Sequence, residues 1–353
     1  MNTSFKKNKS QVSVNYQVTS PRFSVRNIDE LQQGVKHLTD RGYAVFSDIL
    51  TREEISDSID LFWKHLEHLP KPCSIRRDDS KTWNKNWPGL NELGIINDYG
   101  MGQSEFMWFV RGNPNVKKVF SEIWNSDELF VSFDGAGCFR DWHLNPDWKT
   151  DSGWYHCDQN PFQKPQRCSV QGLVALTDND ESTGGLVIVP GSHERFVDLQ
   201  FTVDERAVWG DYVNIPSELA AQIHPILVKC KAGDLVVWDS RCVHCNTPSL
   251  VDKQDDKSAT DNQLLRIVAY ICMSPLSLFE PDGVRFESLE EFRESREDFV
   301  RNRVTCSHWP LELVTADRPS HMEKVPLKLN AYQKSLIVGT HITPENGTEE
   351  IVF

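Results

Sequence analysis

"GWYHCDQNPF" (residues 153–162) sets a histidine, a cysteine and an aspartate side by side at positions 156, 157 and 158. In a β-strand, residues i and i+2 share a face. His156 and Asp158 would therefore point together, with Cys157 turned away. Alone, the pair is either ordinary hydrogen-bonded strand structure or two ligands for one cation. A second stretch, "GDLVVWDSRCVHCNTP" (233–248), runs apolar residues from a Gly-Asp turn towards His244. A third ligand from that strand end would complete a two-histidine, one-carboxylate facial set, which leaves open positions on iron.

Both stretches lie in a region built of short apolar runs separated by turn residues. Between 128 and 275 these are "LFVSF", "SVQGLVAL", "GGLVIVP", "DLVVW" and "RIVAYICM". Such spacing points to a sandwich or jelly roll. Upstream, "IDELQQGVKHLTDRGYAVF" reads as a helix ending near Gly42, followed by a short strand. "TREEISDSIDLFWKHLEHL" reads as a second helix, with Thr51 as N-cap and Glu54 closing a capping box. From about 70 to 100 the chain is loop-like and rich in Trp, Asn, Gly and Pro, and "SLEEFRESREDFVRNRV" is a late helix of mixed charge. Residues 1–25 are polar and aperiodic and read as a flexible lead-in. Residues 26–315 read as one catalytic domain, and 316–353 as an extension packed on it. "VDKQDDKSATDNQ" (251–263) reads as an exposed insertion between strands.

A formal net charge of −13 argues against a nucleic-acid partner, which needs a basic face. No apolar run approaches the roughly 20 residues of a membrane span, and no secretory signal pattern opens the chain. Nine scattered cysteines, an odd number, fit reduced thiols better than a disulfide framework. These features suggest a cytoplasmic, monomeric protein that acts on small molecules.

Taken together, "GWYHCDQNPF", "SVQGLVALTDNDESTGGLVIVPGSHERF", "GDLVVWDSRCVHCNTP" and "LLRIVAYICMSP" resemble the phytanoyl-CoA dioxygenase family of Fe(II)/2-oxoglutarate-dependent oxygenases. "GYAVFSDILTREEI" resembles that family's opening strand and helix, and "TCSHWP" (305–310) a tail element. The resemblance covers roughly residues 35–315. It implies a mainly β fold with flanking helices: a double-stranded β-helix, or cupin-like jelly roll. It further implies His156, Asp158 and His244 as iron ligands, Arg266 as the residue holding the distal carboxylate of 2-oxoglutarate, and O2 as co-reactant. The implied reaction couples oxidative decarboxylation of 2-oxoglutarate to oxidation of a substrate C–H bond by hydroxylation, desaturation or cyclisation. Asp158 disfavours halogenation, because halogenating relatives carry a small residue there. The gap from His244 to Arg266 is longer than the family's usual one, and the 251–263 stretch accounts for it.

Arg266 also stands out on physical grounds, since a mid-strand guanidinium among apolar neighbours needs an anionic partner. An internal salt bridge would serve equally, and Arg241 is a local competitor. Gln171 and Thr177 are candidates to hydrogen-bond the cosubstrate. Asn246, two after His244, is a candidate to touch the cosubstrate or orient a ligand. Weaker readings concern the Asp141/His143 pair, His193 in a turn, and the Cys242/Cys245 pair, which read as structural. Trp83, Trp87 and Trp154 are candidates to line a substrate cavity. "CSIRRDD" (73–79) and "FVRGNPNVKK" (109–118) are basic patches that would suit a substrate carboxylate. The substrate expected is a small metabolite, such as an amino-acid-derived natural-product precursor. A peptide or protein hydroxylase and a non-catalytic jelly-roll binding module are the alternatives.

Overall fold

A computed structural model describes residues 12–208, 210–251, 263–316 and 326–353. Two facing sheets form the centre. With strands numbered in chain order, the major sheet runs β1 (Arg22–Ser24), β2 (Tyr43–Ser47), β11 (Leu235–Asp239), β7 (Val170–Ala175), β13 (Arg266–Tyr270), β5 (Ala136–Phe139) and β3 (Ile95–Ile96). The minor sheet runs β10 (Ile226–Leu227), β8 (Gly185–Ile188), β12 (His244–Thr247), β6 (His156–Cys157) and β9 (Val213–Asn214). Two hairpin-like pairs flank them, β4 (Leu129–Val131) with β14 (Met273–Pro275) and β15 (Lys328–Asn330) with β16 (Glu350–Val352). All pairings in the two main sheets are antiparallel except β1 with β2. This is the expected jelly roll.

Strand alternation sorts the side chains into two layers. Val45, Leu173, Ala175, Val236, Trp238 and Val268 of the major sheet meet Leu186 and Ile188 of the minor sheet in one buried cluster. The alternate residues Ala44, Phe46, Val174, Val237, Ile267 and Ala269 join a larger cluster shared with the helices. These helices are α1 (Ile28–Arg41), α2 (Arg52–Glu67), α3 (Glu105–Arg111) and α4 (Pro114–Trp124). After the short α5 (Ser217–Ala220), α6 (Leu289–Arg301) and α7 (Ala331–Val338) complete the set. Inward-facing positions therefore belong to a slot between the sheets, and that slot is where the site residues fall.

Local signals place the first helices. Asn27 caps α1 by accepting from the Asp29 and Glu30 amides, and Gly42 ends it in a left-handed conformation (φ 78°). A Cβ at Gly42 would lie 2.1 Å from Cys242 Sγ, so the helix end packs directly on the turn that leads to His244. At the start of α2 the Thr51/Glu54 capping box forms as expected.

The N-terminal segment departs from the expected flexible lead-in. From Val12 onward it is built into the fold: Asn15 bridges to Ile226, and Arg22 grips the Asp234 carboxylate with bonds of 2.7 and 2.8 Å. Asp234 is 212 positions away, so no local periodicity announces the contact. Residues 1–11 of that lead-in, the 252–262 part of the expected insertion and residues 317–325 of the expected extension lie outside the described residues. Leu336 and Ile337 of α7 share the large helix-side cluster with Phe130.

Candidate metal centre

β12 and β6 are neighbours in the minor sheet, and their register sets His244 opposite His156. The two imidazoles lie 4.3 Å apart between ring centroids. β6 ends at Cys157, so Asp158 is the first residue beyond the strand rather than part of it. Its amide donates to the Ser240 carbonyl at 3.0 Å, which keeps the carboxylate on the histidine side. Asp158 Oδ1 is 3.4 Å from His156 Nε2, and Oδ2 is 3.3 Å from His244 Nε2. One donor atom from each of the three lies within 4.8 Å of the others, the one such cluster among the described residues. Cys157 turns away, its Sγ donating to the Arg241 carbonyl.

The second contacts of the ligand candidates fix their donor atoms. His156 Nδ1 faces the Trp154 carbonyl at 3.2 Å and His244 Nδ1 the Cys242 carbonyl at 2.9 Å. A carbonyl only accepts, so each Nδ1 carries the proton and each Nε2 presents a lone pair to the cluster. Trp154 and Tyr212 stack on opposite sides of the His156 ring system, at 4.8 and 4.7 Å. Gln171 Nε2 donates to Asp158 Oδ2 at 2.9 Å. Burial, reinforced by His244 and opposed by Asp158, lowers the pKa of His156. Burial works against the Asp158 charge, but positive charge and hydrogen bonds from the imidazoles, when these carry a second proton on Nε2, hold its carboxyl well below the usual range. A bound cation would take the place of those protons. Neutral imidazole and ionised carboxylate are the forms that ligate a cation.

Across the slot, Arg266 opens β13 on the same inward face as Val268 and Tyr270. Its side chain is fully buried. Nε donates to Asn179 Oδ1 at 2.7 Å and the guanidinium lies 4.9 Å from the Phe139 ring centroid. Among the described residues no salt bridge satisfies it and neither Nη has a partner. Gly185, at φ 155°, makes room beside it: a Cβ there would stand 3.1 Å from Asn179 Oδ1 and 3.7 Å from Arg266 Nε. Gly185 pairs with Thr247, whose buried Oγ1 also lacks a partner. The competitor Arg241 is consumed by a bidentate pair with Asp239, at 2.9 and 2.8 Å.

The remaining candidates separate. Thr177 Oγ1 accepts the Ile267 amide at 3.2 Å, bracing β13 immediately after Arg266. Asn246 Nδ2 reaches the Tyr270 hydroxyl at 3.4 Å. Asp141 and His143 bond each other, and His193 Nε2 contacts the Thr39 carbonyl. Cys242 and Cys245 are buried free thiols. Trp83 and Trp87 belong to a cluster with Trp63 and Trp148 around Arg140. In the two basic patches, Arg76 and Arg77 pair with Asp78 and Asp60, and Lys118 donates to the Val25 carbonyl. Sequence reasoning did not single out Asn179, which holds Arg266, or Tyr212, which stacks on His156, both outside the named strands.

The sequence profile of the phytanoyl-CoA dioxygenase family matches residues 39–248. Ava biosynthesis cluster protein O of Aspergillus versicolor is 28% identical over 249 residues, covering 67% of this chain and 74% of that one. Ectoine dioxygenase of Streptomyces coelicolor is 21% identical over 220 residues, covering 58% and 67%. Among solved structures, the non-heme alpha ketoglutarate dependent epimerase SnoN from nogalamycin biosynthesis is similar at 16% identity and a TM-score of 0.47, covering 70% of this chain and 84% of that one. No helix among the described residues is long and apolar enough to cross a membrane. The profile match takes in more than half of the chain, including His156, Asp158 and His244, and the protein belongs to the phytanoyl-CoA dioxygenase family of iron- and 2-oxoglutarate-dependent oxygenases.

Proposed function

We propose that this chain oxidises a C–H bond of a small metabolite, with His156, Asp158 and His244 holding Fe(II) and Arg266 holding the distal carboxylate of 2-oxoglutarate. The observation that carries the reading is the buried Arg266 guanidinium. Two donor nitrogens without partners inside a protein are costly unless a ligand takes them, and a planar carboxylate matches that fork. The neighbouring unpartnered Thr247 hydroxyl offers one more donor to the same carboxylate. The donor set of two nitrogens and one carboxylate oxygen suits iron(II) and leaves positions for other ligands.

Iron(II) and 2-oxoglutarate supply dioxygen activation coupled to decarboxylation of the oxo acid. The chain's own residues supply placement. Trp154 and Cys242 carbonyls fix the histidine tautomers, Gln171 steadies the Asp158 carboxylate, and Asn179 aims the Arg266 fork. In this reading Gln171 acts on a metal ligand rather than on the cosubstrate, and Thr177 acts through the β13 backbone. Asn246 serves by fixing Tyr270 on the slot wall. The names of the relatives, a biosynthesis cluster protein and an ectoine dioxygenase, support a small amino-acid-derived or natural-product substrate. Hydroxylation, desaturation and cyclisation all start from the same C–H cleavage.

Anaerobic titration with Fe(II) and then 2-oxoglutarate tests the assignment. His156→Ala and Asp158→Ala should lose iron, and Arg266→Ala should keep iron but lose 2-oxoglutarate. Wild-type binding by all three variants would overturn the site. A wild-type chain that binds neither would be a non-catalytic jelly roll. Succinate release across small metabolites then identifies the substrate class, and a response to peptides alone would point to a protein target.

A further inference from the structure

On the side of the triad where Tyr212 stacks, three segments distant in sequence are tied together by one lysine. Lys164 Nζ donates to Asp211 Oδ2 at 2.6 Å and to Glu312, and it lies 3.9 Å from the Trp309 ring centroid. Asn160 adds a backbone bond to Asp211 Oδ1 at 3.1 Å. The loop that follows Asp158 thereby holds the Tyr212 segment and the His308 segment next to each other. Cys306 donates its amide to the Phe133 carbonyl at 2.8 Å, which anchors the second segment beside Asp134.

Among the described residues, the buried polar atoms without a partner on these segments include the Tyr212 hydroxyl and His308 Nε2, with Trp309 Nε1 next to the latter. Tyr212 and His308 belong to the triad's surroundings. The Tyr212 ring stacks on His156 at 4.7 Å, and His308 is near enough for its charge to act on Asp158. An unmatched buried polar group costs about 1–3 kcal/mol, so such atoms on two segments that Lys164 ties together call for an occupant. Resting on the iron-site reading above, we infer that Tyr212 and His308 hold the substrate through an uncharged oxygen, a carbonyl or hydroxyl, and that Lys164 positions them.

The charges around Lys164 favour an uncharged group over an anion at this spot. Lys164 is already paired with two carboxylates. Arg111 commits both Nη groups to the Gly102 and Asp134 carbonyls. Asp134, beside the His308 segment, adds a further carboxyl that burial raises to about 6. An entering carboxylate or phosphate would meet these acids with Lys164 and Arg111 already committed, while Arg167 of the same loop faces Asp239 and the Trp124 ring. The Tyr212 phenol is a hydrogen-bond donor for an acceptor oxygen. His308 Nε2 accepts from a hydroxyl in one tautomer and donates to a carbonyl in the other.

The test uses the protein loaded anaerobically with Fe(II) and 2-oxoglutarate, reading the visible charge-transfer band of that complex. Three probe sets are titrated: uncharged amides, lactones and polyols; free amino acids and other carboxylates; and acyl-CoA thioesters. A member of the uncharged set should shift the band. Tyr212→Phe and His308→Gln should each raise the concentration required about tenfold, the loss of one hydrogen bond to a buried group. Lys164→Met should weaken both contacts together, and thermal melts verify that the three variants are folded. A shift by the charged sets only, by none of the sets, or equally in wild type and variants overturns the proposal. Failure of the wild-type band to form in the first place overturns the iron-site reading itself, and is read before any probe is added.

Discussion

Arg266 and Arg296 are both fully buried, yet they stand in opposite halves of the molecule and in opposite states. Arg296, on α6, lies in the helix-side core. Its Nε, Nη1 and Nη2 donate to the carbonyls of Ile337, Pro310 and Val131, and the rings of Phe130, Phe133 and Phe292 surround its guanidinium. Arg266, in the slot between the sheets, has one such bond, to Asn179, and two free nitrogens. The first arginine is a fastener whose every donor joins a different part of the chain. The second, held at one corner and open along its outer edge, has the form of the receptor proposed above. Burial alone thus says little about what a charged residue does; the state of its donors separates structure from function.

The largest expected effect tests the fastener. Arg296→Leu leaves three buried carbonyls unmatched and should cost about 4 kcal/mol in urea denaturation, with 2-oxoglutarate affinity of the folded protein unchanged. Arg266→Leu should do the reverse: stability within about 1 kcal/mol of wild type and 2-oxoglutarate binding weaker by about 100-fold, measured by calorimetry. Similar stability losses in both variants would break the contrast. Gln171→Leu removes the bond that steadies Asp158 and should lower Fe(II) affinity about tenfold in competition with a chelator. Asn179→Ala frees the held corner of Arg266 and should weaken 2-oxoglutarate about fivefold without touching iron. The smallest effect concerns Asp134, another incompletely compensated group of the slot side. Its carboxyl titrates near 6 when folded against 3.8 ordinarily, so the folded state holds the extra proton between those values. Stability should fall as pH rises from about 4 to about 6, and melting curves of Asp134→Asn should lack that slope.

The iron half of the site was legible because strand alternation is a local rule. His156 and His244 keep the faces that period two assigns them, and Arg266 betrays itself as a cation inside "LLRIVAY". Asp158 comes through although it lies just past its strand, because its amide stays bonded to Ser240. What was not legible depends on contacts between distant segments. The role of Gln171 depends on how the loop between β6 and β7 folds back, because the facing rule of a strand does not extend across the 13 positions to Asp158. Residues 12–25 read as a loose lead because their partners, Ile226 and Asp234, lie far along the chain, 212 positions away for Arg22 and Asp234. Tyr212, His308 and Lys164 sit in loops, where spacing carries no facing rule, and only the folded chain brings them to one place.

The Lys164 tie has a consequence for how such a protein changes over generations. The ligands and Arg266 are carried by strands or strand ends whose register cannot slip without dismantling the core. The wall opposite them is assembled from three loops joined by one lysine and two acids. Selection can rewrite those loops while the oxidising half stays untouched, so new substrates are reached by remodelling the tie and its neighbours. A laboratory library restricted to residues 159–167, 210–212 and 307–312 would explore that freedom with little risk to the scaffold.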